Sequence, residues 1–252
     1  MAETEKRIAI LGDIHANLEA LQAVMEDARQ QGVNEYNCVG DIVGYNANPQ
    51  ECVDIVRAHC TAVVRGNHDH YCAFNESLED FQPNAAIAIE WTHRQLDGDS
   101  AAWLSSLPLS KNLFQYSFSL VHGTLDMPDQ WGYVFDAVDA GAHFAYQTTP
   151  VCFHGHTHVP AVFEKVGSRV DRYAAPEPGM RVSLSFGHKY FINVGSVGQP
   201  RDGIPKASYA IYEPRSRIIE FRRVDFDIKA AADKIRRAGL PQRLADRLEI
   251  GR

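Results

Sequence analysis

An α/β fold with two sheets is what the sequence predicts, and three observations predict it. Apolar strand-like runs alternate with helical patterns through the first third of the chain, strand-like runs dominate the second half, and no Pro-, Gly- or Ser-rich linker, internal repeat or low-complexity stretch divides them. Alternation of strand and helix makes βαβ units on a parallel sheet, whereas successive strands make antiparallel or mixed pairs. The 252 residues, 45% hydrophobic and 10% aromatic, have the composition of a compact globular protein, read here as one domain over 1–252.

The first strand is "RIAILG", which stops abruptly at "GDIHA". Asn17 then caps a helix over 17–31. "YNCVG" is the second strand, 49–59 the second helix and "TAVVRG" the third strand. "NAAIAIEWTHRQL" spaces its apolar residues three and four apart, and "DSAAWLSSLP" is a second short helix that Pro108 follows, so the region near 70–110 predicts a helical insertion beside the sheet. "KNLFQYSFSLVHG", a helix over 136–146 and "VCFHGH" precede the β segments "AVFEKV", "YFINVG", "ASYAIYE" and "RIIEFRRV". The tail near 227–252, rich in Arg and Lys and helical in pattern, predicts a solvated surface helix.

A formal charge of -7 opposes polyanion binding over a broad surface, so extended nucleic acid is excluded as a partner while a local cationic site for a small phosphate ester is not. Cys38, Cys52, Cys60, Cys72 and Cys152 form no CxxC pair and read as reduced core thiols of a cytosolic protein. The polar N-terminus has no apolar leader, and no apolar run is long enough to cross a bilayer. A cytoplasmic location without a membrane partner follows as the expectation.

Each strand-like run named for a site ends in acid, amide or imidazole: Asp13 and His15, Asp41, the trio Asn67, His68 and Asp69, then His122, then His156 and His158. Ligand sites of open α/β sheets gather beyond the carboxyl ends of strands. On an extended strand Asp13 and His15 would project to one side while Ile14 points into the core. Any one histidine of the chain's eleven is ordinarily a surface or hydrogen-bonded residue; five clusters in the same position are not coincidence. The set offers oxygen and nitrogen donors and no thiolate, which suits Mn, Fe or Zn ions better than a Cys-lined structural zinc site. Two metals can share such a set.

"GDIH", "GDIVG", "GNHD", "VHG" and "GHTH", in this order over 12–158, resemble the signature of the calcineurin-like metallophosphoesterase superfamily. "NVGSVGQPRDG", over 193–203, is similar to its bacterial branch of small phosphodiesterases and relatives of diadenosine tetraphosphate hydrolases. The resemblance implies a four-layer αββα sandwich of two mixed β-sheets flanked by helices. It also implies a phosphoesterase that hydrolyses a phosphate mono- or diester, such as a nucleotide or dinucleoside polyphosphate, by attack of a hydroxide shared between two divalent or trivalent ions. By the same resemblance Asp13, His15, Asp41 and His158 hold one ion and Asp41, Asn67, His122 and His156 the other, with Asp41 bridging. His68 is then no ligand: it stabilises the transition state or protonates the leaving oxygen, and Asp69 either orients it or caps the following helix.

Neither a P-loop nor a Cys followed by an Arg cradle is present, which argues against kinase-type and cysteine-phosphatase chemistry. Arg65 before "GNHD" matches the arginine of protein Ser/Thr phosphatases, but Gly44 and Tyr45 stand where those enzymes carry an Asp-Arg pair. Arg65 either grips a phosphate oxygen or serves a structural pair, and Arg201 in "GQPRDG" either reaches substrate or is solvated. Trp131 and Tyr133 either wall the site or anchor their loop in the core. A protein Ser/Thr-type phosphatase is the alternative reading. A non-catalytic scaffold on the same fold is disfavoured by the presence of His68 with all seven candidate ligands.

Overall fold

The computed structural model describes residues 5–74, 76–79, 81–172 and 177–252, with the Arg172 side chain excepted. Residues 75 and 80, within the region read as a helical insertion, and residues 1–4 of the polar N-terminus lie outside it. In chain order the strands are β1 (Ile8–Leu11), β2 (Glu35–Cys38), β3 (Cys60–Val63), β4 (Ser110–Leu113), β5 (Phe118–Val121), β6 (Val151–His154), β7 (Ala161–Val166), β8 (Arg169–Arg172), β9 (Arg181–Ser183), β10 (Lys189–Asn193), β11 (Ala207–Glu213) and β12 (Ile218–Val224). The helices are α1 (Leu18–Gln30), α2 (Pro49–His59), α3 (Asn67–Phe74), α4 (Pro83–Gln95), α5 (Gly98–Ser106), α6 (Ala137–His143), α7 (Ile228–Arg237) and α8 (Gln242–Ile250).

The strands form two mixed six-stranded sheets, ordered β3-β2-β1-β11-β12-β9 and β4-β5-β6-β10-β7-β8. Side-chain alternation along β1 explains how they stack. Ile8 and Ile10 point toward the second sheet and share a core with Phe118, Phe153, Tyr190 and Ile192, while Ala9 and Leu11 point outward to Leu21 and Val24 of α1. On the far side, Ala140 and Phe144 at α6 cover Phe163 and Phe191 of the second sheet. Helix, sheet, sheet, helix is the resulting layer order, the four-layer sandwich expected.

Within the first sheet β1, β2 and β3 are parallel, and within the second β5, β6 and β10 are parallel. Six strands therefore deliver their carboxyl ends to one edge of the sandwich, where the loops following them meet. Asn17 ties two of these loops together: its Oδ1 accepts the Ala20 N–H at 3.1 Å, capping α1, and its Nδ2 donates to Gly198 O at 2.9 Å.

The structure departs from the sequence reading in three places. "KNLFQYSFSLVHG" is not one run but the antiparallel pair β4 and β5, reversed by a 3-10 turn at Phe114–Tyr116 and a left-handed Ser117. The polar edge strands β8 and β9 carry too few apolar residues to announce themselves. The tail is not one solvated helix but two, α7 and α8, whose Ala231, Ile235, Leu244 and Leu248 are buried against Tyr45, Ala85 and Ala88. Among the described residues no helix is long and apolar enough to cross a membrane.

Candidate metal centre and cleft

Two groups of side chains converge where the strand ends meet. Asp13, His15, Asp41 and His158 place one donor atom each within 4.8 Å of one another, as do Asp41, His122 and His156, and all are buried. Asn67 joins the second group, its Oδ1 3.2 Å from His122 Nε2. Asp41 belongs to both: its Oδ2 lies 3.5 Å from His15 Nε2 and 3.3 Å from His122 Nε2.

Backbone geometry, not strand alternation, brings Asp13 and His15 together. Both lie beyond the end of β1, and both are left-handed, at φ 51° and 48°. Asp41, His156 and His158 share that conformation at φ 53°, 68° and 61°, so five of the seven candidate ligands occupy a region that costs a non-glycine residue about 1–3 kcal/mol. Strain of this kind collects where the surroundings hold side chains for a task. Gly66 makes a further accommodation, since a Cβ there would lie 2.1 Å from Asp41 Oδ1.

The hydrogen bonds define the tautomers. His15 Nδ1 faces Val43 O at 3.0 Å and His158 Nδ1 faces Gln199 O at 2.6 Å, so each ring donates its Nδ1 proton to a carbonyl. Their Nε2 lone pairs then confront each other at 3.1 Å. No proton is left to lie between two such lone pairs, and a cation satisfies both. In the second group His122 Nδ1 donates to Val39 O at 2.9 Å, its Nε2 stands 3.0 Å from His156 Nδ1, and the buried His156 Nε2 has no partner. The donor set of imidazole, carboxylate and amide fits Mn, Fe or Zn.

Electrostatics agree with this picture. Burial, reinforced by neighbouring positive groups, holds His15 and His158 well below the usual imidazole range and pushes His156 down to about 3. Burial also opposes protonation of His122, but the Asp41 carboxylate outweighs it and lifts that ring to about 9. Desolvation would raise Asp41, yet the His122, His68 and His15 rings beside it hold it well below the carboxylate range. Burial pushes Asp13 up to about 7, with His122 opposing and the Asp41 charge adding to the rise.

His68 stands beside this centre at the start of α3. Its backbone N–H donates to Asp41 Oδ1 at 2.8 Å, and its ring packs 4.4 Å from the Tyr45 ring and 4.8 Å from that of His15. Its Nδ1 is buried without a partner against Gly44, which leaves Nε2 for the cleft. Burial holds the ring at about 4 despite Asp41.

Two expectations are corrected. Asp69 does not orient His68: its carboxylate accepts the amides of Ile42 at 2.8 Å, Val43 at 3.2 Å and Gly66 at 3.1 Å. It thus closes the first turn of α3 by reaching back to Gly66, as the third residue of a capping box does, and clamps the loop after Asp41 to that turn. Arg65 faces away from the cleft, donating from Nη1 to Ser105 O at 2.6 Å with its guanidinium 5.1 Å over Phe74. The last carbonyls of α5 lack helical donors, and Arg65 supplies one.

The cleft above the centre has a volume of about 730 Å³. Asn67, His68 and His156 line it with Tyr71, Phe81, Trp131 and Tyr133, and the Tyr133 ring stacks 3.9 Å over His156. Trp131 and Tyr133 therefore wall the site. Arg201 also reaches the cleft, where its Nη2 meets Tyr45 Oη at 3.4 Å and Gln199 Oε1 at 3.1 Å. Tyr45, Arg243 and Arg247 are lining residues that sequence reasoning missed. The signal for the arginines was present: two like charges four apart in a helical pattern repel unless something joins them.

The family model for the calcineurin-like phosphoesterase superfamily domain matches residues 7–217. An uncharacterized protein of Methanocaldococcus jannaschii is 41% identical over 249 residues, covering 97% of this chain and 98% of its own. The crystal structure of a metallophosphoesterase from Sphaerobacter thermophilus superposes with a TM-score of 0.87 at 40% identity, covering 99% of this chain and all of that one. A symmetrical bis(5'-nucleosyl)-tetraphosphatase of Psychromonas ingrahamii is 25% identical over 126 residues, 48% of this chain and 45% of its own.

Proposed function

The chain belongs to the calcineurin-like phosphoesterase superfamily, and on that premise we propose that it hydrolyses a small phosphate mono- or diester, of the nucleotide or dinucleoside polyphosphate class, with two metal ions. The observation that carries this reading is the pair of overlapping donor groups joined at Asp41, with imidazole lone pairs facing each other where no proton can lie. Asp13, His15, Asp41 and His158 hold one ion; Asp41, Asn67, His122 and His156 hold the other. Bound there, Mn, Fe or Zn supplies Lewis acidity toward a phosphoryl oxygen and lowers the pKa of water.

The remaining chemistry belongs to the chain's own side chains. The oxygen of a water bonds to phosphorus, the ester P–O bond breaks, and the proton that the water gives up passes to the leaving oxygen by way of His68 Nε2, so that the ring ends the step in the protonation state in which it began. Arg201, braced by Tyr45 and Gln199, supplies positive charge to the phosphate part of the substrate. The aromatic walls enclose a cleft of about 730 Å³, which suits a small substrate better than a phosphorylated loop of another protein and favours the small-ester reading over a protein phosphatase. The partial match to a tetraphosphatase supports the nucleotide class.

The test is hydrolysis of bis-p-nitrophenyl phosphate and p-nitrophenyl phosphate by protein supplemented with Mn, Fe or Zn and assayed for bound metal, followed by a nucleotide panel. Diester or nucleotide turnover that tracks metal content is the expected result. Metal-loaded protein that hydrolyses none of these above the rate with metal alone would refute the proposal.

A further inference from the structure

Three guanidinium groups line the cleft, and among the described residues none is paired with an Asp or Glu side chain. Arg201 hydrogen-bonds only to the neutral Tyr45 and Gln199, and its Nε is buried without a partner. Arg247 directs its Nε to an oxygen of the final residue, Arg252, which leaves its Nη groups free of any acidic side chain, and Arg243 makes no ion pair. Scarcity of acids is not the reason, because the chain holds 32 acidic residues against 25 basic ones. On the adjoining α7, Lys229, Lys234 and Arg236 each meet a carboxylate.

The arrangement works against the fold that contains it. Arg243 and Arg247 lie four residues apart on one face of α8, where like charges repel. Arg243 is also in the first turn, at the positive end of the helix dipole. Arg247 is half-buried, and burial together with the charges of Arg201 and Arg243 lowers its pKa. An anion lying among the three would relieve every one of these terms.

We propose that Arg201, Arg243 and Arg247 form a second anion subsite, which holds a phosphate group other than the one hydrolysed, so that the preferred substrate carries a pyrophosphate or longer phosphate chain. The proposal rests on the phosphoesterase reading above. The two positions are one ring apart, since the Tyr45 ring lies 4.4 Å from that of His68 and 5.8 Å from Arg201 Cζ. The oxygen of water bonds to the phosphorus beside His68, the P–O bond to the leaving group breaks, and the leaving oxygen takes the proton; the neighbouring phosphate stays in the arginine subsite throughout.

A selectivity ratio tests it. Bis-p-nitrophenyl phosphate is the reporter substrate for the full-length, Mn-loaded protein, with α,β-methylene-ADP and AMP as competitors. The diphosphate should inhibit the wild type at a concentration at least about tenfold lower than AMP, as one or two additional charge-assisted contacts allow. In Arg243→Gln/Arg247→Gln that advantage should fall about tenfold, and Arg243→Lys/Arg247→Lys should recover most of it, which a mere loss of helix packing would not permit. Equal inhibition by both competitors in the wild type, or an unchanged advantage in the Gln variant, would overturn the subsite. Should the wild type fail to turn over the reporter, the phosphoesterase reading falls separately, and calorimetric titration of the same proteins with the same two ligands decides the subsite by the same ratios.

Discussion

Asp69→Asn separates a clamp from a catalytic partner. The carboxylate accepts three buried amides, Ile42 and Val43 on Oδ1 and Gly66 on Oδ2. Asparagine has the same shape but a single acceptor oxygen. If its NH₂ takes the place of Oδ2, the Gly66 N–H loses its partner; if it takes the place of Oδ1, two N–H groups do. One unpaired buried donor costs about 1–3 kcal/mol, and the amide rotamer that orphans only Gly66 is the better one. For a chain of this size Tm falls about 2–4 °C per kcal/mol, so thermal unfolding should drop by several degrees. The loop should loosen as well. Val43 O orients His15 and Asp41 Oδ1 holds the His68 amide, so bound metal measured by elemental analysis should fall together with Tm. A variant with unchanged Tm and metal content but lowered kcat would refute the clamp and restore Asp69 as the residue that orients His68.

Asp41→Asn should lower metal occupancy in both groups at once, because a neutral amide bridges cations poorly; elemental analysis showing one group still filled would contradict the shared role. Gly44→Ala should cut kcat while metals stay bound, since a Cβ there would lie 2.4 Å from His68 Nδ1 at a φ of +89°; the kcat and metal content of the purified variant decide it. Burial lifts Asp13 to about 7 in the metal-free protein, and a cation must displace that proton, so Mn affinity should rise as pH rises toward about 7, with proton release measurable by titration calorimetry in buffers of different ionisation heat. For the metal-free fold Asp13 and Asp69, both raised to about 7, bind more protons folded than unfolded, but the rings of His15, His158, His156 and His68, all held below the usual imidazole range, bind fewer and outnumber them. Tm without metal should therefore rise as pH rises from about 4 to about 6.5; a Tm that declines over that range would contradict the burial of these rings as neutral donors.

The layers of the fold were legible because burial writes itself into composition. Strands β1, β2 and β3 and helices α1 and α2 follow the apolar runs and spacings closely, since β1 is covered on both faces, β2 and β3 are buried toward their carboxyl ends and the helices are buried on one face. Strands β8 and β9 were not legible, for they lie at sheet edges and consist largely of polar residues. The tail was misread for a related reason: α7 and α8 bury mainly alanine and leucine under a surface of arginine and lysine, and a charge count sees the surface first.

The donors of the site were legible as residue types at strand ends, but the turns that aim them were not. Nothing in "GDIH" or "GHTH" states that Asp13, His15, His156 and His158 are left-handed; only the packing of loops from both sheets imposes it. Asp13, His15 and Asp41 follow strands of the first sheet, whereas His122, His156 and His158 follow strands of the second. Each donor group therefore draws on both sheets, and the centre sits at their seam. That position explains why buried carboxylates and imidazoles are tolerated there together. The inter-sheet core holds the two loop sets at fixed separation, so the donors cannot relax apart to satisfy themselves with water, and their charges and lone pairs remain directed at the same small volume.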